Sequence, residues 1–395
     1  MDILRFITAG SIDDGKSTLI GRLLLDTQNI KSDILDSVTA PENGNELNLA
    51  YITDGLRAER QAGITIDVAY KYFTTPTRKY IITDAPGHFQ YTKNLVTGAS
   101  GVDVMIILID AVNGILAQTR RHSLVASFLG IRNIVVAVNK MDLVGFDENV
   151  FNNIRNEFRQ IAASLQLQNI CYIPLSALNG DNLTFHSSLM PWYTGETLFS
   201  YLRDCDPHPS SDSLNTRFIV QYTKDELVFG KLVSGSILSG DTVYSVKTGQ
   251  SAIVESIINN DAPDNNICMK LSSIQFKRGS VLSHVHNQPQ CTNEFEANLC
   301  WLDDTTPLQP GREYLLRINT AEILCTITSI ISRTNNDTYA QEPAPASISA
   351  NDFARVRIRT NEKAVFDNYS LIRETGRGII IDCNTNNTSG ALVIG

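Results

Sequence analysis

"GSIDDGKST", residues 10–18, follows a short apolar run containing Ile3, Leu4, Phe6 and Ile7 and precedes the helix-like stretch "LIGRLLL". Gly10 to Ser17 fit G-x-x-x-x-G-K-[ST] at the place its mechanics demand, between a strand and a helix. Glycines let successive backbone N–H groups turn inward on phosphate oxygens, and the helix N-terminus adds partial positive charge. Lys16 reaches the outer phosphates, and Ser17 offers a hydroxyl to magnesium. Gly10, Ser11, Asp13, Asp14, Gly15, Lys16, Ser17 and Thr18 are therefore candidate nucleotide contacts.

Outward from this loop, the chain to about residue 205 alternates buried-strand runs with helix-period segments. "MIILID" (105–110), "NIVVAVNK" (133–140) and "CYIPLSA" (171–177) are continuously apolar, as strands covered on both faces of a parallel sheet must be. Val150, Phe151, Ile154, Phe158, Ile161 and Leu165 recur near the 3.6 period, which predicts an amphipathic helix on that sheet. The texture changes at "DCDPHPSSDS" (204–213), a Pro/Ser/Asp linker. Beyond it, short alternating strands separated by Gly, Asn and Asp turns predominate, with Phe295, Ala297, Leu299 and Trp301 on one strand face. The expected architecture is an α/β P-loop nucleotide-binding domain over 1–205, a mostly parallel sheet with helices on both faces. Two β-barrel domains are expected to follow, over 213–288 and 292–395, divided at "HNQPQCTN".

A phosphate cradle does not choose a base. In "NKMD" (Asn139, Lys140, Met141, Asp142), a carboxylate after a buried strand can accept both the ring N–H and the exocyclic amine of guanine. Adenine offers no such donor pair, and the carboxylate would stay unpaired at a cost of about 1–3 kcal/mol. Taken alone, the same four residues are also what a strand ending in a polar turn looks like. Ser176, Ala177 and Leu178 end the next apolar run, where backbone N–H groups of Ser176 and Ala177 are expected to meet the guanine carbonyl. In "DAPGH" (Asp84, Ala85, Pro86, Gly87, His88), Asp84 can hold magnesium through water and the Gly87 N–H can sense the terminal phosphate. His88 beside it is placed to orient an attacking water. Thr65 of "GITID" supplies a second hydroxyl for magnesium, at the end of a polar stretch of about 26–63 with the character of a switch loop. Five elements in this order imply GTP with Mg2+, with Lys16, Thr65, Gly87 and His88 as the catalytic group.

The 395 residues carry a net charge of −9, which weighs against a protein whose main work is gripping nucleic acid. No stable nucleic-acid partner and no membrane association are expected. There is no run of eighteen apolar residues and no signal-peptide pattern, so a cytoplasmic protein is expected. Seven cysteines without a C-x-x-C pair predict reduced, mostly buried thiols, and His284 and His286 lack a cysteine at zinc-finger spacing. Arg355, Arg357 and Arg359 share one face if "ARVRIRT" is a strand. That face is either solvated or a dock for an acidic partner, and in a translation factor it would touch nucleic acid.

The order P-loop, GIT, D-x-P-G-H, N-K-M-D, S-A, then two barrels, resembles the translation elongation factor superfamily of GTPases. Within it, "GSIDDGKSTLIGRLL", "DGLRAERQAGITIDVAY", "DAPGHFQYTKNLVTGAS", "QTRRHS", "LGIRNIVVAVNKMDLV", "PLSALNGDN" and "MPWYTGETL" are similar to the large, GTPase subunits of bacterial ATP sulfurylase. Elongation factors usually have histidine where Asp14 stands, and they lack the "MPWY" segment. The resemblance implies a small catalytic partner subunit that transfers adenylyl from ATP to sulfate, giving adenosine 5'-phosphosulfate and pyrophosphate. GTP hydrolysis in the large subunit would drive that reaction, and no sulfate site is expected here. "DELVFGKLVSGSILSGD" (225–241) departs from the family, which has an arginine-glycine-aromatic turn there. No C-terminal kinase domain of the sort some relatives carry is expected beyond Gly395. A translation-type GTPase delivering a charged RNA, and a diverged paralogue uncoupled from sulfate, are the competing readings.

Overall fold

The apolar run at 105–110 becomes strand β4 (Val104–Asp110), buried at every residue, because parallel neighbours flank it and helices cover both faces. A computed structural model describes residues 2–29, 49, 68–86, 92–206, 215–258, 265–273 and 276–395. Thr65, Gly87 and His88 lie outside them, as does most of the polar stretch expected to switch. The chain divides into two units, Met1–Pro209 and Ser210–Gly395.

In the first unit, β1 (Asp2–Ala9), β3 (Arg78–Asp84), β5 (Asn133–Asn139) and β6 (Ile170–Pro174) run parallel with β4. The antiparallel edge strand β2 (Ala69–Thr74) completes a six-stranded sheet of order β2-β3-β1-β4-β5-β6. Helices α1 (Lys16–Asp26), α2 (Thr92–Ala99), α3 (Ala117–Phe128), α4 (Glu148–Leu165) and α5 (Leu198–Asp204) accompany it. The predicted stripe Phe151, Ile154, Phe158, Ile161 and Leu165 is the buried face of α4. That helix starts before Val150 because Asp147 caps it, its carboxylate accepting from the Asn149 N–H at 2.8 Å. Leu19 and Leu23 of α1 and Leu198 and Leu202 of α5 pack on Leu4, Phe6, Tyr80, Ile82, Ile106, Leu108, Val135 and Ala137 of the sheet.

Register aligns the carboxyl ends of the strands. Thr8 lies beside Asp84, Asp110 beside Asn139, and Val138 beside Pro174. The chain leaves β1 toward β3 and later crosses back to β4, so the order reverses at β1, where open α/β sheets bind ligands.

The second unit is all-β. Strands β7 (Arg217–Lys224), β8 (Leu227–Ser234), β9 (Thr242–Ser245), β10 (Gln250–Ile257), β11 (Asn266–Leu271) and β12 (Val281–Leu282) form one sheet of order β12-β7-β8-β11-β10-β9. Tyr244 and Ser283 exchange backbone hydrogen bonds of 2.8 and 2.9 Å, which joins its two ends. The departing stretch at 225–241 opens with a hairpin turn at Asp225 and Glu226, between β7 and β8, with Asp225 at φ +52°. A second sheet contains β13 (Gln290–Trp301), β14 (Glu313–Ile318), β15 (Ala321–Thr334), β16 (Gln341–Pro343), β17 (Phe353–Phe366), β18 (Arg377–Asp382) and β19 (Thr388–Val393). Its order is β14-β18-β19-β13-β17-β15-β16, and β14 also pairs with β15 to close the barrel. Phe295, Ala297, Leu299 and Trp301 face its core, as their alternation predicts.

Arg217 of β7 is buried and forms a two-pronged ion pair with Asp367, Nε and Nη2 each at 2.8 Å from a carboxylate oxygen. Thr375 donates its hydroxyl to the same carboxylate at 2.7 Å. Arg355, Arg357 and Arg359 do share the outer face of β17, but Glu296 pairs with the first two and Glu294 with the third, from the neighbouring β13. Opposite charges placed across strands make this a largely self-neutralised, solvated row. All seven cysteines are free, and Cys268, Cys300 and Cys325 are buried. Among the described residues, no helix is long and apolar enough to cross a membrane.

Candidate functional site

The loop after β1 is shaped by two left-handed residues, Asp13 (φ +65°) and Gly15 (φ +90°). Such a turn points successive N–H groups to one side, and α1 starts behind it with no side-chain cap on its free N–H groups. A Cβ on Gly15 would stand 2.4 Å from Asn139 Nδ2, so only glycine lets that side chain pass. Lys16 is buried and donates through Nζ to the carbonyls of Gly10 and Ser11 at 3.0 and 2.7 Å. Burial lowers its pKa, against the opposing pull of Asp84, Asp14 and Asp13. The Ser11 hydroxyl is buried without a hydrogen-bond partner among the described residues. An orphaned donor, a glycine cradle and a free helix N-terminus fit a phosphate chain. Ser17 and Thr18 occupy the first turn of α1, half-buried.

Asp14 is an acid inside this cradle. Its carboxylate accepts from the Ser11 N–H at 2.5 Å and is 2 % exposed. Burial pushes its pKa up to about 6, with Asp110 adding and the Ser11 N–H, Lys16 and Lys140 opposing. A carboxyl raised in the folded state binds more protons there than in the unfolded chain between about pH 4 and 6. Stability contributed by Asp14 therefore falls as pH rises through that window and stays lower above it. Asp14→Asn is expected to remove the decline and to stabilise the nucleotide-free protein at pH 7 by up to about 3 kcal/mol. Urea unfolding at pH 4.5 and 7 checks this; a variant less stable than the parent at pH 7 would show that the Ser11 hydrogen bond outweighs desolvation.

On the base side, β5 ends at Asn139, whose Nδ2 donates to the Asp14 carbonyl at 2.8 Å while its Oδ1 accepts from the Ala177 N–H at 2.9 Å. This side chain ties the phosphate loop to the loop after β6. Lys140 (φ +61°) pairs with Asp110 at 2.8 Å. Burial pushes the Asp110 carboxyl up, but Lys140 and the Val112 N–H outweigh it and hold it below the ordinary value. Met141 is buried and donates its N–H to Leu175. Asp142 follows in a 3-10 turn, Met141–Val144, half-exposed, its carboxylate without a partner among the described residues.

The expectation that the Ser176 and Ala177 N–H groups meet a guanine carbonyl is corrected. Ser176 donates to the Asp181 carbonyl at 3.2 Å and Ala177 to Asn139. The loop folding back on itself at Gly180 takes up the first, and the side chain at the end of β5 takes up the second. The Leu178 N–H has no partner among the described residues.

Asp84 closes β3, buried, and accepts from the Thr8 hydroxyl at 3.2 Å; Ala85 and Pro86 follow it, also buried. Ser17 and Asp84 thus provide a hydroxyl and a carboxylate of the kind that suits magnesium.

Two residues given no role from sequence prove structural to the site. Trp192 of "MPWY" donates Nε1–H to the Phe146 carbonyl at 3.0 Å and packs 5.5 Å from the Phe151 ring, bracing the turn that carries Asp142. His122 of "QTRRHS" is buried in α3 with Nδ1 unpartnered among the described residues. Burial first, then Lys16 and Arg121, lower its pKa to about 3, so it stays neutral.

Residues 1–260 match the family described as the elongation factor Tu GTP binding domain, and 294–395 match the GTP-eEF1A C-terminal domain-like family. Sulfate adenylyltransferase subunit 1 of Shewanella oneidensis is 43% identical, covering 99% of this chain and 85% of its own length. The bifunctional enzyme CysN/CysC of Mycobacterium tuberculosis is 42% identical over 98% of this chain and 66% of its own. The bifunctional enzyme NodQ of a Rhizobium species is 44% identical over 99% and 63%. The chain spans about two thirds of the length of these bifunctional relatives. Cradle, base-side loops and likeness along nearly the whole chain agree, and the chain belongs to the sulfate adenylyltransferase subunit 1 family, within the GTPases built on the elongation factor Tu GTP-binding domain.

Proposed function

We propose that this chain is the GTP-hydrolysing subunit of a heteromeric, cytoplasmic ATP sulfurylase. The observation that carries the reading is the pairing of a phosphate cradle at Gly10–Thr18 with a carboxylate at Asp142 that has no partner among the described residues, in a chain 43% identical to a sulfate adenylyltransferase subunit 1. In this reading Asp142 accepts the ring N–H and the amine of guanine. The loop N–H groups and Lys16 hold the phosphates. Mg2+, held by Ser17 and Thr65 and through water by Asp84, would offset charge on the outer phosphate oxygens. The Gly87 N–H contacts the terminal phosphate, and His88 orients the water that attacks it, yielding GDP and phosphate.

Adenylyl transfer from ATP to sulfate, releasing pyrophosphate, belongs to a small partner subunit. The energetic link is a loop that closes while the terminal phosphate is present and opens once it has gone. The RNA-delivery alternative has less support, because the arginine row of β17 is paired with Glu294 and Glu296.

The test is a reconstituted pair of this chain with the small subunit, assayed for adenosine 5'-phosphosulfate without pyrophosphatase. GTP is expected to raise the accumulated product. His88→Ala is expected to bind GTP within about threefold of the parent yet lose on the order of a hundredfold in hydrolysis, and with it the GTP-dependent increment. No GTP dependence in the parent pair would sink the sulfate reading. Intact hydrolysis in the variant would move water orientation to another residue.

A further inference from the structure

Arg22 sits on α1 six residues beyond Lys16, about 9 Å along the helix, and nothing in the phosphate chemistry uses it. Its guanidinium leaves the helix for the loop after β6. Nη1 donates to the Leu178 carbonyl at 2.9 Å, and Nε donates to Asp26 Oδ1 at 2.8 Å, one turn along α1. The other oxygen of Asp26 accepts from the Thr184 hydroxyl at 2.9 Å. One ion pair therefore grips the loop at 178 and again at 184. Its two side chains are only 23% and 13% exposed, so water screens it less than an ordinary surface pair.

Gly180 admits this arrangement. It lies at φ +87°, and a Cβ there would stand 2.6 Å from Arg22 Nη2 and 2.8 Å from Cζ. Any side chain would expel the guanidinium.

The grip falls beside the backbone N–H that this loop offers to the base. The Ala177 N–H is held by Asn139 Oδ1, and the Leu178 carbonyl is held by Arg22. The peptide between those two anchors carries the Leu178 N–H, and with both flanking peptides pinned it loses the freedom to rotate.

We propose that Arg22 is a positioning residue for base recognition: it fixes the Leu178 peptide so that its N–H meets the O6 carbonyl of guanine, and it ties that contact to the helix that bears Lys16. This rests on the guanine-nucleotide reading above. The phosphate end and the base end of the nucleotide are then held by one rigid element, and Asp142 reads the opposite side of the same base edge.

The experiment pairs a change in the protein with a change in one ligand atom. GDP is compared with 6-thioguanosine diphosphate, which keeps the ring N–H and the amine but presents sulfur, a poor acceptor, in place of O6. The parent is expected to bind the thio ligand about tenfold more weakly, the scale of one hydrogen bond. Arg22→Met keeps the aliphatic stem; it is expected to weaken GDP about tenfold and leave the thio ligand nearly unchanged, so that the ratio collapses toward one. Asp26→Asn, which frees the guanidinium, should collapse it in part and serves as the second variant if the first does not fold. Both ligands weakening equally, with the ratio preserved, would overturn the proposal, since a staple that only stabilises the fold has no preference for O6. A parent that binds GDP no better than ADP would instead overturn the guanine reading itself.

Discussion

Asp142→Asn is expected to lower GTP affinity by about two to three orders of magnitude and to hand the advantage to xanthosine triphosphate. In the parent, two guanine donors meet one ionised carboxylate, and hydrogen bonds to charged groups contribute about 1.5–3 kcal/mol each. An asparagine keeps one acceptor but turns an N–H toward the guanine amine, so one contact survives without its charge and the other becomes a clash of donors. Xanthine carries a carbonyl in place of the amine, and the asparagine side chain matches it. The position is suited to this task because the carboxylate is half-exposed and unpartnered among the described residues, on a turn braced by Trp192 and by the Met141 N–H to Leu175. Competitive titration of the two triphosphates on parent and variant is the measurement. GTP affinity unchanged by the substitution would remove Asp142 from base reading.

Arg217→Ala is expected to destabilise the C-terminal unit by about 3–5 kcal/mol, because it leaves the Asp367 carboxylate buried with a single hydroxyl, that of Thr375, in place of an ion pair. The guanidinium also donates to the Thr216 and Asn287 carbonyls at 2.8 and 2.6 Å, so its remaining N–H groups are not idle. Replacing both partners, as in Arg217→Met with Asp367→Leu, should recover more than half of the loss, since no uncompensated charge stays behind. Trp301 is buried in the core of the second barrel and reports unfolding of this unit; a Trp192→Phe background silences the other tryptophan. If the single and double replacements cost the same, packing of the arginine stem, and not its charge, dominates.

Local readings succeeded wherever the deciding interactions lie within a few residues. The P-loop pattern, the apolar runs of β4 and β5 and the 3.6-period stripe of α4 each depend on spacing along the chain, and each folded as that spacing dictates. The alternation at Phe295–Trp301 did the same for β13. The arginine row of β17 was legible as a row, but not its neutralisation, which depends on which strand lies beside it and in what register.

What the sequence by itself determined is the element order, the phosphate cradle and the candidate base-reading aspartate, because glycine positions, strand runs and helix periods are local properties of a chain. Only the tertiary structure decided how those parts divide their hydrogen bonds. Asn139 is taken up by Asp14, 125 residues away, and by Ala177; Arg22 crosses 156 residues to Leu178; Arg217 crosses 150 to Asp367. Each of these is a competition among several possible donors and acceptors, settled by the register of the strands and the path of the loops, and no pattern within one segment encodes its outcome. That is why, of Ser176, Ala177 and Leu178, only Leu178 keeps an N–H without a partner among the described residues.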